Sequence, residues 1–169
     1  MQIRLAYGRD GLVVTLPDER TTVIEPTYLP TLSDEVGVLQ QALAQPQGTS
    51  PLRVLAAPSD SVVIVVCDGT RPIPTARVLP PVLAALDHVP PEQITILVAT
   101  GTHRANTPDE LNEMLGPAVV ARYRVINHNA RDRATLAYLG KTPRGGPVWL
   151  NRTYLEARVR VTLGFIEPH

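Results

Sequence analysis

The sequence predicts an α/β fold: a three-layer, Rossmann-like domain with a mainly parallel sheet, plus an N-terminal β-hairpin and C-terminal β elements. Two observations carry most of that expectation. Residues 61–67 (SVVIVVC) and 93–100 (QITILVAT) are short apolar runs without polar alternation, the pattern of strands covered on both faces. Helix-like segments separate them from each other and from a third run, so strand, helix, strand, helix, strand implies right-handed crossovers. A chain of 169 residues is long enough to bury one such core.

Each element has its own signal. Residues 3–7 and 12–16 flank Gly8-Arg9-Asp10-Gly11, as a hairpin would, and residues 23–25 suggest a further strand. Residues 34–44 place Val36, Val38, Leu39, Ala42 and Leu43 at helical spacing, with Ser33 as N-cap. Residues 46–51 form a polar break. After the first buried run, residues 74–88 read as a helix that Pro80-Pro81 should kink or restart. After the second, Thr107-Pro108-Asp109-Glu110 opens a helix with a capping box and a proline at its first position, and Gly116 ends it. Residues 124–127 form a third strand. Residues 136–139 and 148–150 flank a turn from 140 to 146, and residues 159–165 make a last strand. No internal repeat or low-complexity segment interrupts the order.

Composition narrows the function classes. Sixteen basic and sixteen acidic residues cancel, which argues against nucleic acid or an anionic membrane surface as the partner. No apolar run approaches the roughly 20 residues that span a bilayer, and the first eight residues hold no signal-peptide apolar region, so a cytoplasmic location is expected. One cysteine, Cys67, allows no intrachain disulfide, and it reads as a small buried hydrophobe. His88, near a helix end, reads as a partner of the helix dipole. Lys141 is the single lysine, and it falls in a predicted surface turn.

Ligands of open parallel sheets bind beyond the carboxyl ends of the strands. Here those ends carry Asp68-Gly69-Thr70-Arg71-Pro72, Thr100-Gly101-Thr102-His103-Arg104 and Asn127-His128-Asn129. If the strands are neighbours, Asp68, Thr70, Arg71, Thr102 and His103 share one crevice. It would offer a guanidinium fork for a carboxylate or phosphate, hydroxyl donors, and an imidazole suited to proton movement near neutral pH. The plainer readings stand beside this one: Asp68 and Thr70 as helix caps, Arg71 as a surface arginine, His103 as a turn residue. Chemistry alone reaches an anion-binding α/β site, with or without catalysis. No Gly-x-Gly-x-x-Gly follows a strand and there is no phosphate-cradling Walker loop, so the usual signals of dinucleotide or ATP binding are missing.

These same loops resemble a known family. Residues 68–72 (DGTRP), 96–104 (ILVATGTHR), 127–132 (NHNARD), 146–152 (GPVWLNR) and 164–169 (GFIEPH) are similar, in order, to motifs of the N-terminal domain of nickel-pincer nucleotide-dependent lactate racemases and their relatives. The resemblance implies a 2-hydroxy-acid racemase or epimerase, an isomerase working by proton-coupled hydride transfer to a nickel-pincer nucleotide. Racemisation by that route needs a base on each side of the reacting carbon, and the resemblance places those roles on His103 and His169. It gives Arg71 the substrate carboxylate, a bidentate task that lysine fills less well. Asp68, Thr70 and Thr102 would position substrate or cofactor. His128 is left outside the catalytic set, with a structural role at a strand end as its competing reading.

The resemblance also sets expectations about extent. Residues 1–169 are expected to form a single α/β domain, the N-terminal part of a longer two-domain enzyme truncated at His169, with the C-terminal domain as its missing partner. The family's cofactor-tethering lysine and nickel-ligand histidine are absent from this chain. His88, His103, His128 and His169 show no metal-ligand spacing, so no metal site is expected, and the fragment itself is expected to be inactive. Gly69 offers no side chain to the site, which loosens the assignment to lactate in particular. The competing class is a non-catalytic carboxylate- or phosphate-binding α/β module.

Overall fold

The computed structural model describes residues 1–25, 27 and 30–166, and divides into two compact units, Met1–Ser33 and Asp34–His169. In the first unit β1 (Gln2–Leu5) pairs antiparallel with β2 (Leu12–Thr15), Gln2 facing Thr15 and Leu5 facing Leu12. Gly8 and Gly11 adopt positive φ, and the Gly11 N–H closes the turn onto the Tyr7 carbonyl at 2.9 Å. That turn bond ends the first strand at Leu5 rather than at the expected Tyr7. Residues 23–25 form no strand, contrary to expectation: β-branched composition without a pairing edge does not make one.

In the second unit α1 (Glu35–Ala44) is capped by Asp34, not Ser33. The Asp34 carboxylate accepts from the Gly37 N–H at 2.8 Å, a bond one residue further along than the sequence suggests. The short α2 (Leu52–Leu55) precedes β3 (Val62–Cys67). Then α3 (Thr75–Ala85), β4 (Ile94–Ala99), α4 (Pro108–Leu115), α5 (Pro117–Arg122) and β5 (Arg124–Asn127) follow in alternation. Pro80 and Pro81 lie inside α3, which continues through them as one helix; Pro81 is buried. The capping box at the start of α4 is complete, and Gly116 closes it at φ 89°.

β6 (Leu136–Lys141) and β7 (Pro147–Asn151) form a second hairpin, with Tyr138 opposite Trp149 and Arg133 4.2 Å above the Trp149 ring. The chain then makes α6 (Arg152–Glu156) and β8 (Val159–Thr162). The sheet order is β5-β4-β3-β8 and every pairing is parallel. β8 stops at Thr162, short of Phe165, because its register against β3 covers Val62 to Val65 only.

The continuous apolar runs do face two ways. Val62, Ile64, Val66, Ile94, Ile96 and Val98 pack on one side with Leu79, Val82, Leu83, Leu86 and Leu115 of the helices. Val63 and Leu97 point to the other side, where Ala157 and Tyr154 meet them in a smaller cluster. His88 is better explained as a tie than as a dipole partner: its Nε2 donates to the Ala56 carbonyl at 2.7 Å. No helix among the described residues is long and apolar enough to cross a membrane.

Candidate active site

Parallel pairing of β3 with β4 puts Cys67 opposite Ala99, so the next residues on each strand, Asp68 and Thr100, emerge side by side at the carboxyl edge. β5 joins them on the far side of β4, with Asn127 paired to Val98. Three of the sequence's candidate segments therefore open at one edge of the sheet.

The β3 and β4 loops are joined by a short chain of hydrogen bonds. Asp68 is buried; one carboxylate oxygen accepts from Thr70 Oγ1 at 2.7 Å and the other from His103 Nδ1 at 2.6 Å. Burial works to raise the Asp68 carboxyl, but the His103 and Thr70 hydrogen bonds and the His103 charge outweigh it and hold the group below its ordinary value of 3.8. A carboxylate accepting at Nδ1 keeps the Nδ1–H form of His103, leaving Nε2 to act as acceptor. The imidazole is half exposed.

A tight turn places His103. Its N–H donates to the Thr100 carbonyl at 2.9 Å, and Gly101 between them sits at φ 58°, the left-handed region that glycine enters at least cost. The loop that follows is clamped at both ends. Asn127 accepts from the Asn106 N–H at 2.9 Å and donates to its carbonyl at 3.1 Å, as a neighbouring strand would. Arg104 makes a two-pronged contact with Glu110 at 2.6 and 2.8 Å. With the Arg104 bonds leading and the Thr107 N–H assisting, Glu110 is pushed down to about 2.

Thr102 and His103 line a cleft of about 670 Å³ together with Arg104, Asn127, His128, Asn129 and Arg131. Thr70 and Arg71 lie exposed on the β3 loop, outside that lining, and the Arg71 N–H donates to the Asp68 carbonyl at 3.2 Å. Of the expected site residues, Asp68, Thr70 and His103 are thus brought into direct contact, Thr102 shares the cleft with His103, and Arg71 stands on the same loop as Asp68. His169 lies outside the described residues. The sequence reading offered Asn127 in a strand-end segment and Asn151 in a family motif but gave neither a role, and it left His128 out of the catalytic set; their contacts depend on where the third strand and the second hairpin return.

The family model for the lactate racemase N-terminal domain matches residues 7–169. The chain belongs to the lactate racemase N-terminal domain family. It is 34% identical to the lactate racemase of Thermoanaerobacterium thermosaccharolyticum and 33% identical to that of Lactiplantibacillus plantarum, in each case over 99% of this chain and 40% of the relative. The apoprotein structure of the T. thermosaccharolyticum lactate racemase superposes with a TM-score of 0.79 at 33% identity, over all of this chain and 40% of that one. A crystal structure of a Thermotoga maritima protein shares the fold alone, with a TM-score of 0.58 at 22% identity over 72% of this chain and 31% of that one. The chain spans about 40% of the length of the curated relatives it matches.

As a lactate racemase N-terminal domain, it presents residues 68–72, 100–104 and 127–129 of its motifs at the carboxyl edge of the sheet, where an α/β fold gathers ligand-contacting loops. Gly69 in the first motif is explained by packing. A Cβ there would come within 2.9 Å of Asn106 Nδ2 and 3.3 Å of Met114 Sδ, so the β4 loop and α4 fill the space a side chain would need.

Proposed function

We propose that this chain is the N-terminal, cleft-forming domain of a 2-hydroxy-acid racemase or epimerase, with lactate as the first substrate to test. The observation that carries the reading is the Asp68–His103 pair at the edge of the cleft. A buried carboxylate fixes the imidazole through Nδ1 and turns its basic Nε2 outward, the arrangement that a general base for a hydroxyl proton requires. Thr70 spends its hydroxyl on the second oxygen of Asp68 and so fixes the carboxylate in turn. Asp68 is a positioning residue in this scheme, because its oxygens are occupied by Thr70 and His103.

Arg71, on the same loop, holds the substrate carboxylate through its planar fork. Thr102 offers a hydroxyl from the cleft wall. His169 serves as the base for the opposite stereochemical sense, so that either enantiomer finds an acceptor for its hydroxyl proton. A nickel-pincer nucleotide, when bound, supplies the hydride-accepting chemistry that side chains lack. Among the described residues no group of three or more His, Cys, Asp or Glu could hold a metal ion, so nickel ligation is not assigned to them. The polar cleft lining fits the sugar and charged groups of a nucleotide. The 169 residues alone are therefore proposed not to turn over substrate.

The test is interconversion of D- and L-lactate by the full-length gene product loaded with cofactor. His103→Ala is expected to lower kcat by about 10²–10⁴-fold in both directions, the usual weight of a positioned general base. Unchanged turnover in that variant would overturn the assignment. Robust racemisation by the 169-residue chain with added cofactor would overturn the proposed inactivity.

A further inference from the structure

His128 has one polar atom left over. Its N–H donates to the Val98 carbonyl at 2.9 Å, and its carbonyl accepts from Thr100 Oγ1 at 2.5 Å. Its ring Nδ1 lies 3.2 Å from Asn151 Nδ2. The Asn151 amide cannot turn round without loss, because its oxygen accepts the Thr153 N–H at 2.9 Å and so caps α6. The NH2 end therefore faces the ring, and Nδ1 accepts. A neutral imidazole that accepts at Nδ1 carries its hydrogen on Nε2. That nitrogen has no partner among the described residues, and the residue lines the cleft.

The histidines of the cleft are thus opposites. Asp68 keeps the hydrogen of His103 on Nδ1, whereas Asn151 keeps that of His128 on Nε2. Near His128 the cleft wall carries Arg131, whose backbone is set by a 3.0 Å bond from its N–H to Asn129 Oδ1. Arg131 makes no ion pair among the described residues, while the other guanidinium of the wall, Arg104, is neutralised by Glu110. A fixed N–H beside a guanidinium with no carboxylate attached to it recognises an oxyanion.

We propose that the His128 Nε2–H and the Arg131 guanidinium form an oxyanion subsite of this cleft, taking a phosphate or carboxylate group, with Asn151 as the residue that fixes the donor tautomer. It is a second anion subsite beside the carboxylate role given to Arg71, and it rests on the preceding reading only for the cleft being the ligand site.

Imidazole 15N–1H spectra of the labelled chain read both halves of the idea. His128 should show hydrogen on Nε2, and added inorganic phosphate should shift its Nε2 and the Arg131 Nε–H saturably while leaving His88 unmoved. Acetate, titrated in parallel, tells the sources apart: a response to phosphate alone assigns a phosphoryl group, and a response to acetate as well assigns a carboxylate. Asn151→Ser keeps an oxygen to cap α6 but loses the NH2. It should let the His128 tautomers exchange and weaken phosphate binding about twofold to tenfold, the value of the one neutral hydrogen bond that holds the donor form. His128→Gln, with a donor near the Nε2 position, should bind phosphate within about twofold of the parent. His128→Ala should lose about tenfold or more. Hydrogen on Nδ1 of His128, no response to either anion, or equal phosphate binding in Asn151→Ser and the parent would each overturn the proposal. A failure here leaves the His103 turnover result untouched, so the two readings stand or fall separately.

Discussion

Replacing Asp68 with asparagine isolates the charge at the centre of the site. The residue is 5% exposed and its side chain holds two hydrogen bonds, from Thr70 Oγ1 and His103 Nδ1. Bonds to a charged acceptor contribute about 1.5–3 kcal/mol and neutral ones about 0.5–1.5. The Thr70 bond survives in the variant as a neutral one, a loss of about 1 kcal/mol. The His103 bond is discounted, since that ring is half exposed and solvent screens it, to about 1 kcal/mol at most. Asparagine is also cheaper to bury, which pulls the total down, so Asp68→Asn should cost about 1–2 kcal/mol. In a chain of this size that lowers Tm by about 2–8 °C, read by circular dichroism at pH 7. The pH dependence fixes the sign. The folded carboxyl lies below its ordinary 3.8, so its contribution is complete above that value and is lost as pH falls through the folded one. The gap between parent and variant should be open at pH 7 and close in acid below 3.8. No gap at pH 7, or one that survives into strong acid, would refute the view that hydrogen bonding outweighs burial at this carboxylate.

Other substitutions probe the scaffold, each by thermal or urea unfolding. Gly69→Ala should cost about 1–3 kcal/mol by overpacking against Asn106 and Met114, and shortening Met114 in the same chain should recover part of it. Gly101→Ala meets no atom within 4 Å, so its cost of about 1–2 kcal/mol is backbone strain alone at φ 58°. Thr107→Ala removes the α4 cap and should cost about 1 kcal/mol, with faster amide exchange confined to the first turn. Ile64→Ala, fully buried in the larger core, should cost about 2–5 kcal/mol with no change in the urea m-value.

The sheet was legible because burial on both faces leaves a plain mark. Residues 61–67 and 93–100 had to be β-branched and apolar throughout, since Val63 and Leu97 face a second cluster while their neighbours face the first. The α4 capping box was legible for a similar reason: four adjacent residues contain the whole interaction. Residues 23–25 carry strand-like composition but no partner edge, and a partner edge is not a local property. Pro80 and Pro81 were expected to kink or restart α3, yet buried Leu79, Pro81, Val82 and Leu83 hold it against the sheet, and packing outweighs the lost helical bonds.

Site chemistry divides along the same line. The sequence displays an aspartate, a histidine and several threonines at strand ends, but whether Asp68 touches ligand or histidine depends on a contact across 35 residues. That contact follows from the register of β3 against β4, which fixes the two loops side by side. The Asn151–His128 contact is harder still, since it spans 23 residues and depends on where a hairpin returns to the sheet edge. Its consequence is chemical rather than structural, because the NH2 that Asn151 turns to His128 and the carboxylate that Asp68 turns to His103 set the two ring hydrogens on opposite nitrogens. Two histidines that look equivalent in sequence are thereby made an acceptor and a donor on one cleft wall. On the two proposals above, such a cleft receives a hydroxyl proton at His103 while an oxyanion is held at His128. Exchanging the two partners, Asp68→Asn with Asn151→Asp, should therefore not restore either single variant, because the loss lies in which nitrogen faces the ligand and not in the count of charges.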